Sequence, residues 1–120
     1  MTPKKTVEQF YKSDVFLDPD LTASFLHDDV LLDWNSSKGF LQMDKAKIIS
    51  IITEMSKAYT RSRIKVSHLL AEGNTVSIRY HHYIKTIENP REEILLAPFI
   101  VIWEIKDGKL FRGFQMSQTS

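Results

Sequence analysis

The sequence predicts an α+β domain, with helices in its first half and an antiparallel meander in its second. Three observations carry that expectation. Apolar residues recur at helical spacing up to about Tyr59, apart from one short strand near Val30. Beyond Tyr59 they alternate with polar residues in four long strand-like runs punctuated by turn signals. Helices first and a meander after is an α+β order.

The first helix is expected from Pro3 or Val7 to Leu17. Pro3 suits a first helical position after Thr2, while Thr6 and Gln9 offer a rival capping box. Val7, Phe10, Tyr11 and Val15 share one helical face. Asp18-Pro19-Asp20 ends this helix and opens a short second one, with Leu21, Phe25 and Leu26 inward. His27-Asp28-Asp29 reads as a turn, Val30 to Asn35 as a strand and Ser36 to Met43 as a loop around Gly39. Asp44 is a good N-cap for a third helix from Lys45 to Tyr59, whose buried stripe is Ile48, Ile51, Ile52, Met55 and Tyr59. Ile64, Val66, His68 and Leu70 mark the next strand, and Glu72-Gly73-Asn74 turns it. Val76, Ile78, Tyr80, His82 and Ile84 then share one strand face. Asn89-Pro90 breaks the chain before the strand from Ile94 to Ile105. Asp107-Gly108 is a hairpin signal leading into Leu110 to Gln118.

The strand from Ile94 to Ile105 is apolar on both sides. Ile94, Leu96, Ile100 and Ile102 form one face; Leu95, Phe99, Val101, Trp103 and Ile105 form the other. Such a strand is covered on both sides. Helices can cover one, and a second copy of the chain is the economical cover for the other, so a homodimer is expected.

With 120 residues, the chain suits one domain, 1–120. Apolar content of 42% and charged content of 26% are enough for a packed core and argue against disorder. A net charge of +1 argues against nucleic acid as a partner. The absence of cysteine removes disulfides, thiolate metal sites and cysteine nucleophiles. Met1 to Lys5 leads into a charged amphipathic stretch, and the apolar runs are too short to span a bilayer, so a cytoplasmic protein without membrane contact is expected. There is no glycine-rich phosphate loop, no Gly-x-Ser-x-Gly elbow and no His-Glu-x-x-His. No cofactor and no metal are expected: His81 and His82 are neighbours on a strand and point to opposite faces, and His27 and His68 lack partners at ligand spacing.

Three segments resemble the nuclear-transport-factor-2-like superfamily, which includes the ketosteroid isomerases and the SnoaL-like polyketide cyclases. They are Tyr11 to Asp20 with Phe25-Leu26-His27-Asp28-Asp29-Val30, then Leu96-Ala97-Pro98-Phe99-Ile100-Val101-Ile102-Trp103, and Asp107-Gly108-Lys109-Leu110. The resemblance implies a cone-shaped, curved antiparallel sheet packed on three N-terminal helices around a hydrophobic pocket. It also implies a homodimer through the outer sheet face. With Ile100 inward, that outer face would carry Phe99, Val101 and Trp103. The isomerases' tyrosine falls on Tyr11, with Phe10 as a rival register. Their base position falls on Trp34, and their second acid, counted from Pro98, on Ile100. The region where the cyclases place an acid reads Gln115-Met116-Ser117-Gln118. The chain therefore departs from both chemistries.

His82 is the leading chemical candidate, either a general base in the pocket or a neutral core histidine bonded to Tyr80, Tyr11 or Gln115. Asp33 is a second candidate base if a bulge or a one-residue shift turns it inward. Tyr11, Trp34, Tyr80, Ile100, Gln115 and Ser117 are the expected ligand-binding residues, with Ile48, Ile52 and Met55 as the floor. The leading functional expectation is a binding protein for a small apolar molecule. The alternatives are an isomerase, dehydratase or cyclase, and a protein-interaction module.

Overall fold

A computed structural model describes residues 1–118. Helix α1 spans Pro3–Lys12, capped by Thr2, whose Oγ1 accepts from the Lys5 N–H at 3.2 Å. It stops five residues earlier than its apolar spacing suggests. The Ser13 N–H satisfies the Gln9 and Phe10 carbonyls and its Oγ bonds the Gln9 carbonyl, which closes the helix. Val15–Leu17 form a separate 3-10 turn. Helix α2 spans Pro19–Phe25 behind the Asp18 cap, and α3 spans Lys45–Ala58 behind the Asp44 cap.

Six strands form one open sheet: β1 (Leu26–Ser36), β2 (Gly39–Asp44), β3 (Tyr59–Glu72), β4 (Thr75–Thr86), β5 (Ile94–Lys106) and β6 (Lys109–Ser117), in the order β2-β1-β6-β5-β4-β3. The sheet is mixed rather than wholly antiparallel, because β1 runs parallel to β6. The expected loop from Ser36 to Met43 holds strand β2 instead. Ser36 pairs with Gly39 across a two-residue turn, where Gly39 takes φ +113°. Phe40, Leu41 and Met43 put apolar residues on both faces of β2, which hides its alternation. The expected turn at His27-Asp28-Asp29 is a bulged part of β1: the ladder with β6 jumps from Leu26↔Leu110 to Leu31↔Arg112.

Strand β4 buries Val76, Ile78, Tyr80, His82 and Ile84 on one face, as its alternation requires. Burying each such aliphatic side chain stabilises the fold by about 1.5–3 kcal/mol. Val76, Ile78 and Tyr80 meet Val7, Phe10, Tyr11 and Val15 from the helical layer in one core. Thr22 closes the turn between α1 and α2 by donating its hydroxyl to the Val15 carbonyl.

Strand β5 corrects the sequence reading. Phe99, Val101, Trp103 and Ile105 face the core, and Ile100 and Ile102 face outward. The cause is a bulge. His82 pairs with Ala97 but Tyr83 pairs with Leu95, so Leu96 is an extra residue. Parity inverts there. Leu96, the bulge residue, lines the cavity, and Ile94 pairs with the buried Ile84 at the exposed end of the strand, but Ile100 after the bulge faces outward. Phe99, Val101 and Trp103 therefore cannot form a dimer face.

Candidate functional site

Between the helices and the inner sheet face lies a cavity of about 120 Å³. Ile48, Ile52 and Met55 of α3 form one wall, and Leu32, Trp34, Phe99 and Trp103 form the sheet side. Phe10, Tyr11 and Phe16 close it from the first helical segment. The polar contributions come from Thr22, Tyr80, His82 and Gln115.

Aromatic contacts hold these walls. Tyr80 stacks on Phe99 with ring centroids 5.1 Å apart, and Tyr11 lies 4.9 Å from Tyr80. The Trp103 indole N–H donates to the Tyr11 hydroxyl at 2.9 Å, and Tyr11 and Tyr80 hydrogen-bond to each other. Burial pushes both phenols above their ordinary range. Both stay neutral, and their hydroxyls are used mainly to hold the wall together.

His82 is buried at the cavity beside Phe16, with ring centroids 4.7 Å apart. Its Nε2 lies 2.6 Å from Ser62 Oγ on β3. Register explains the pair: Ile64 stands opposite His82, so Ser62 is the diagonal inward neighbour. Burial lowers the His82 pKa from 6.5 to about 4, so the ring is neutral at pH 7. That bond occupies Nε2 and leaves Nδ1 as the ring's other nitrogen on a residue that lines the cavity.

The other expected site residues divide clearly. Tyr11, Trp34, Tyr80 and Gln115 line the cavity. Ser117 shares the Gln115 face and accepts the Trp34 indole N–H at 2.8 Å, so it holds a wall residue in place. Ile100 lies on the outer face, 51% exposed, because of the β5 bulge. Asp33 also faces outward, where its Oδ1 accepts from Gln42 Nε2 at 2.9 Å. The β1 ladders run unbroken from Leu31 to Asn35, so no bulge turns Asp33 inward and it is not a pocket base. Among the described residues no three His, Asp or Glu side chains are grouped to hold a metal ion.

Sequence reasoning missed Phe16, Ser62, Phe99 and Trp103 as site residues. Ser62 left a usable signal, being a small polar residue two positions before Ile64 on an inward strand face. The other three needed the helix end and the bulge to be known.

Three helices on an open six-stranded sheet, enclosing an apolar cavity, define a protein of the nuclear-transport-factor-2-like class. The chain belongs to the SnoaL-like domain family, whose model matches residues 7–113. Among solved structures it is similar to IdmH from Streptomyces antibioticus, a candidate polyketide cyclase, at 13% identity over 98% of this chain and 92% of that one, with TM-score 0.76. It is also similar to an LEH-like epoxide hydrolase from M. tuberculosis, at 16% identity over 96% and 81%, with TM-score 0.74. An NTF2-like protein of unknown function from Burkholderia pseudomallei matches at 14% identity over 96% and 90%, with TM-score 0.68. At these identities the likeness concerns the fold alone. No curated protein matches the chain by sequence. Among the described residues no helix is long and apolar enough to cross a membrane.

Proposed function

We propose that this protein binds a small apolar molecule, about one ring in size, in the cavity between α3 and the inner sheet face. The supporting observation is the cavity itself: about 120 Å³, walled by aromatic and aliphatic side chains, with His82 and Gln115 as polar anchors. Dry apolar cavities of about this size take up single-ring aromatics. Calorimetry with toluene is expected to show one saturable site per chain and a negative heat-capacity change. Met55→Trp, which fills the space from α3, should abolish it. Unsaturable uptake, or uptake indifferent to that variant, would overturn the reading.

A second reading is an enzyme of the isomerase, dehydratase or cyclase kind with His82 as its base. The ring's neutrality and its place on the cavity favour it. Basicity counts against it, because a group with a pKa of about 4 takes a proton weakly at pH 7. Binding is therefore the better-supported function.

The expected homodimer is retained with a different face. Ile100, Ile102, Phe114 and Met116 form an exposed apolar patch on the outer side of β5 and β6. Arg79 stands beside Ile100, and Asp33 beside Phe114, at opposite corners of this patch. A two-fold copy packed face to face brings each arginine to the other chain's aspartate, a self-complementary arrangement. Sedimentation at micromolar concentration should give twice the chain mass, and Ile102→Glu should give monomers. A monomeric parent protein would refute the dimer.

A further inference from the structure

The ligand's polar chemistry follows from the His82–Ser62 pair, on the reading that the cavity is a binding site. The Ser62 hydroxyl can serve His82 Nε2 in two ways. It donates when the ring carries its proton on Nδ1, and it accepts when the proton is on Nε2. A serine hydroxyl rotates between these roles without moving a heavy atom. The ring's other nitrogen, Nδ1, is then a donor in the first state and an acceptor in the second.

The surroundings limit what can meet it. The rings packed on His82 are Phe16 and Phe99, on the 3-10 turn and β5. Its hydrogen-bonding neighbour on β3 is the uncharged Ser62. Around the cavity the side chains are apolar, or neutral Thr22, Tyr11, Tyr80 and Gln115. Lys12, Asp14 and Arg63 lie outside, in the groove between the end of α1 and β3 that Ser62 also lines. No charge in the cavity offsets that of an ion, and a buried unpaired ion is costly.

We propose that the cavity selects a one-ring molecule bearing a single neutral oxygen function, hydroxyl or carbonyl, held at His82 Nδ1, and that Ser62 is the positioning residue that lets the histidine change tautomer to suit either one. A hydroxyl donates to Nδ1 while Nε2–H donates to Ser62. A carbonyl accepts from Nδ1–H while Ser62 donates to Nε2. Carboxylates are excluded.

Four probes of similar size test this: toluene, phenol, benzaldehyde and benzoate. Phenol and benzaldehyde should bind about threefold to tenfold more tightly than toluene, the return on one net hydrogen bond. Benzoate should not bind measurably. In His82→Phe, phenol and benzaldehyde should bind no more tightly than toluene. Long-range ¹⁵N correlation spectra of the parent protein provide a readout that does not depend on that variant folding. They should show Nε2 protonated with phenol and Nδ1 protonated with benzaldehyde. Toluene binding as tightly as phenol and benzaldehyde, or one unchanged tautomer with both, overturns this inference and leaves the cavity reading standing. Failure of all four to bind overturns both.

Discussion

Acidification from pH 6.5 to pH 4 is expected to cost this domain about 3 kcal/mol of stability through His82 alone. Burial holds the folded ring at a pKa of about 4, against 6.5 for an ordinary histidine. Between those values the unfolded chain takes up the proton and the folded one does not, so stability falls as pH falls through the window. The gap corresponds to about 3 kcal/mol. That is a large share of a total that is typically about 5–15 kcal/mol. Carboxylates act lower: Glu93, held down by its bond to Arg63, and Asp28, held down by Lys45, lose their stabilising ionisation only below about pH 4.5. The interval from 6.5 to 4.5 therefore belongs mainly to His82. Urea midpoints at pH 7, 5.5 and 4.5 should fall steadily in the parent protein and stay nearly level in His82→Gln. An equal slope in the variant would assign the effect to another group.

Gly113→Ala is expected to destabilise the fold by about 1–3 kcal/mol, despite lying in a strand where glycine is ordinarily the weaker choice. A methyl there would meet Trp103 Cζ3 and Leu32 Cδ1, each at 2.6 Å, and Trp103 Cη2 at 2.8 Å. The leucine methyl can swing aside. The indole cannot move freely, because its N–H is bonded to Tyr11 and it forms a cavity wall. Against this, alanine restricts the unfolded chain and returns at most about 1 kcal/mol. The clash therefore dominates. Any relief pushes Trp103 into the cavity, so toluene affinity should fall along with the urea midpoint. A variant as stable as its parent would show that the wall yields.

The legibility of the sequence followed the regularity of the chain. Strand β4 could be read residue by residue, because Val76 to Ile84 alternate without a break and each inward position is buried. Helix α3 was plain from its Asp44 cap and its isoleucine stripe, except that Tyr59, read as its last inward residue, opens β3 in extended conformation. Errors arose where one extra residue reset the count. The bulge at Leu96 reversed β5, exposing Ile100 and enclosing Trp103, and apolar spacing on both faces of that strand gave no warning. Strand β2 escaped notice for the same reason. The site was half legible: strand parity placed His82, Tyr80 and Gln115 on the cavity, and the family resemblance placed Trp34 there. Ser62 was within reach of the same parity, two positions before Ile64, whereas Phe16 depends on how the 3-10 turn sits beside β4, which no local pattern encodes.

The central claim is that a small apolar molecule enters between α3 and the inner sheet face. Methyl-resolved NMR during a toluene titration tests it directly. Saturable shifts are expected at Ile48, Ile52, Met43 and Met55, which line the cavity, with Ile100, Ile102 and Met116 on the outer face unmoved. Shifts confined to the outer-face methyls, with the inner ones silent, would contradict it.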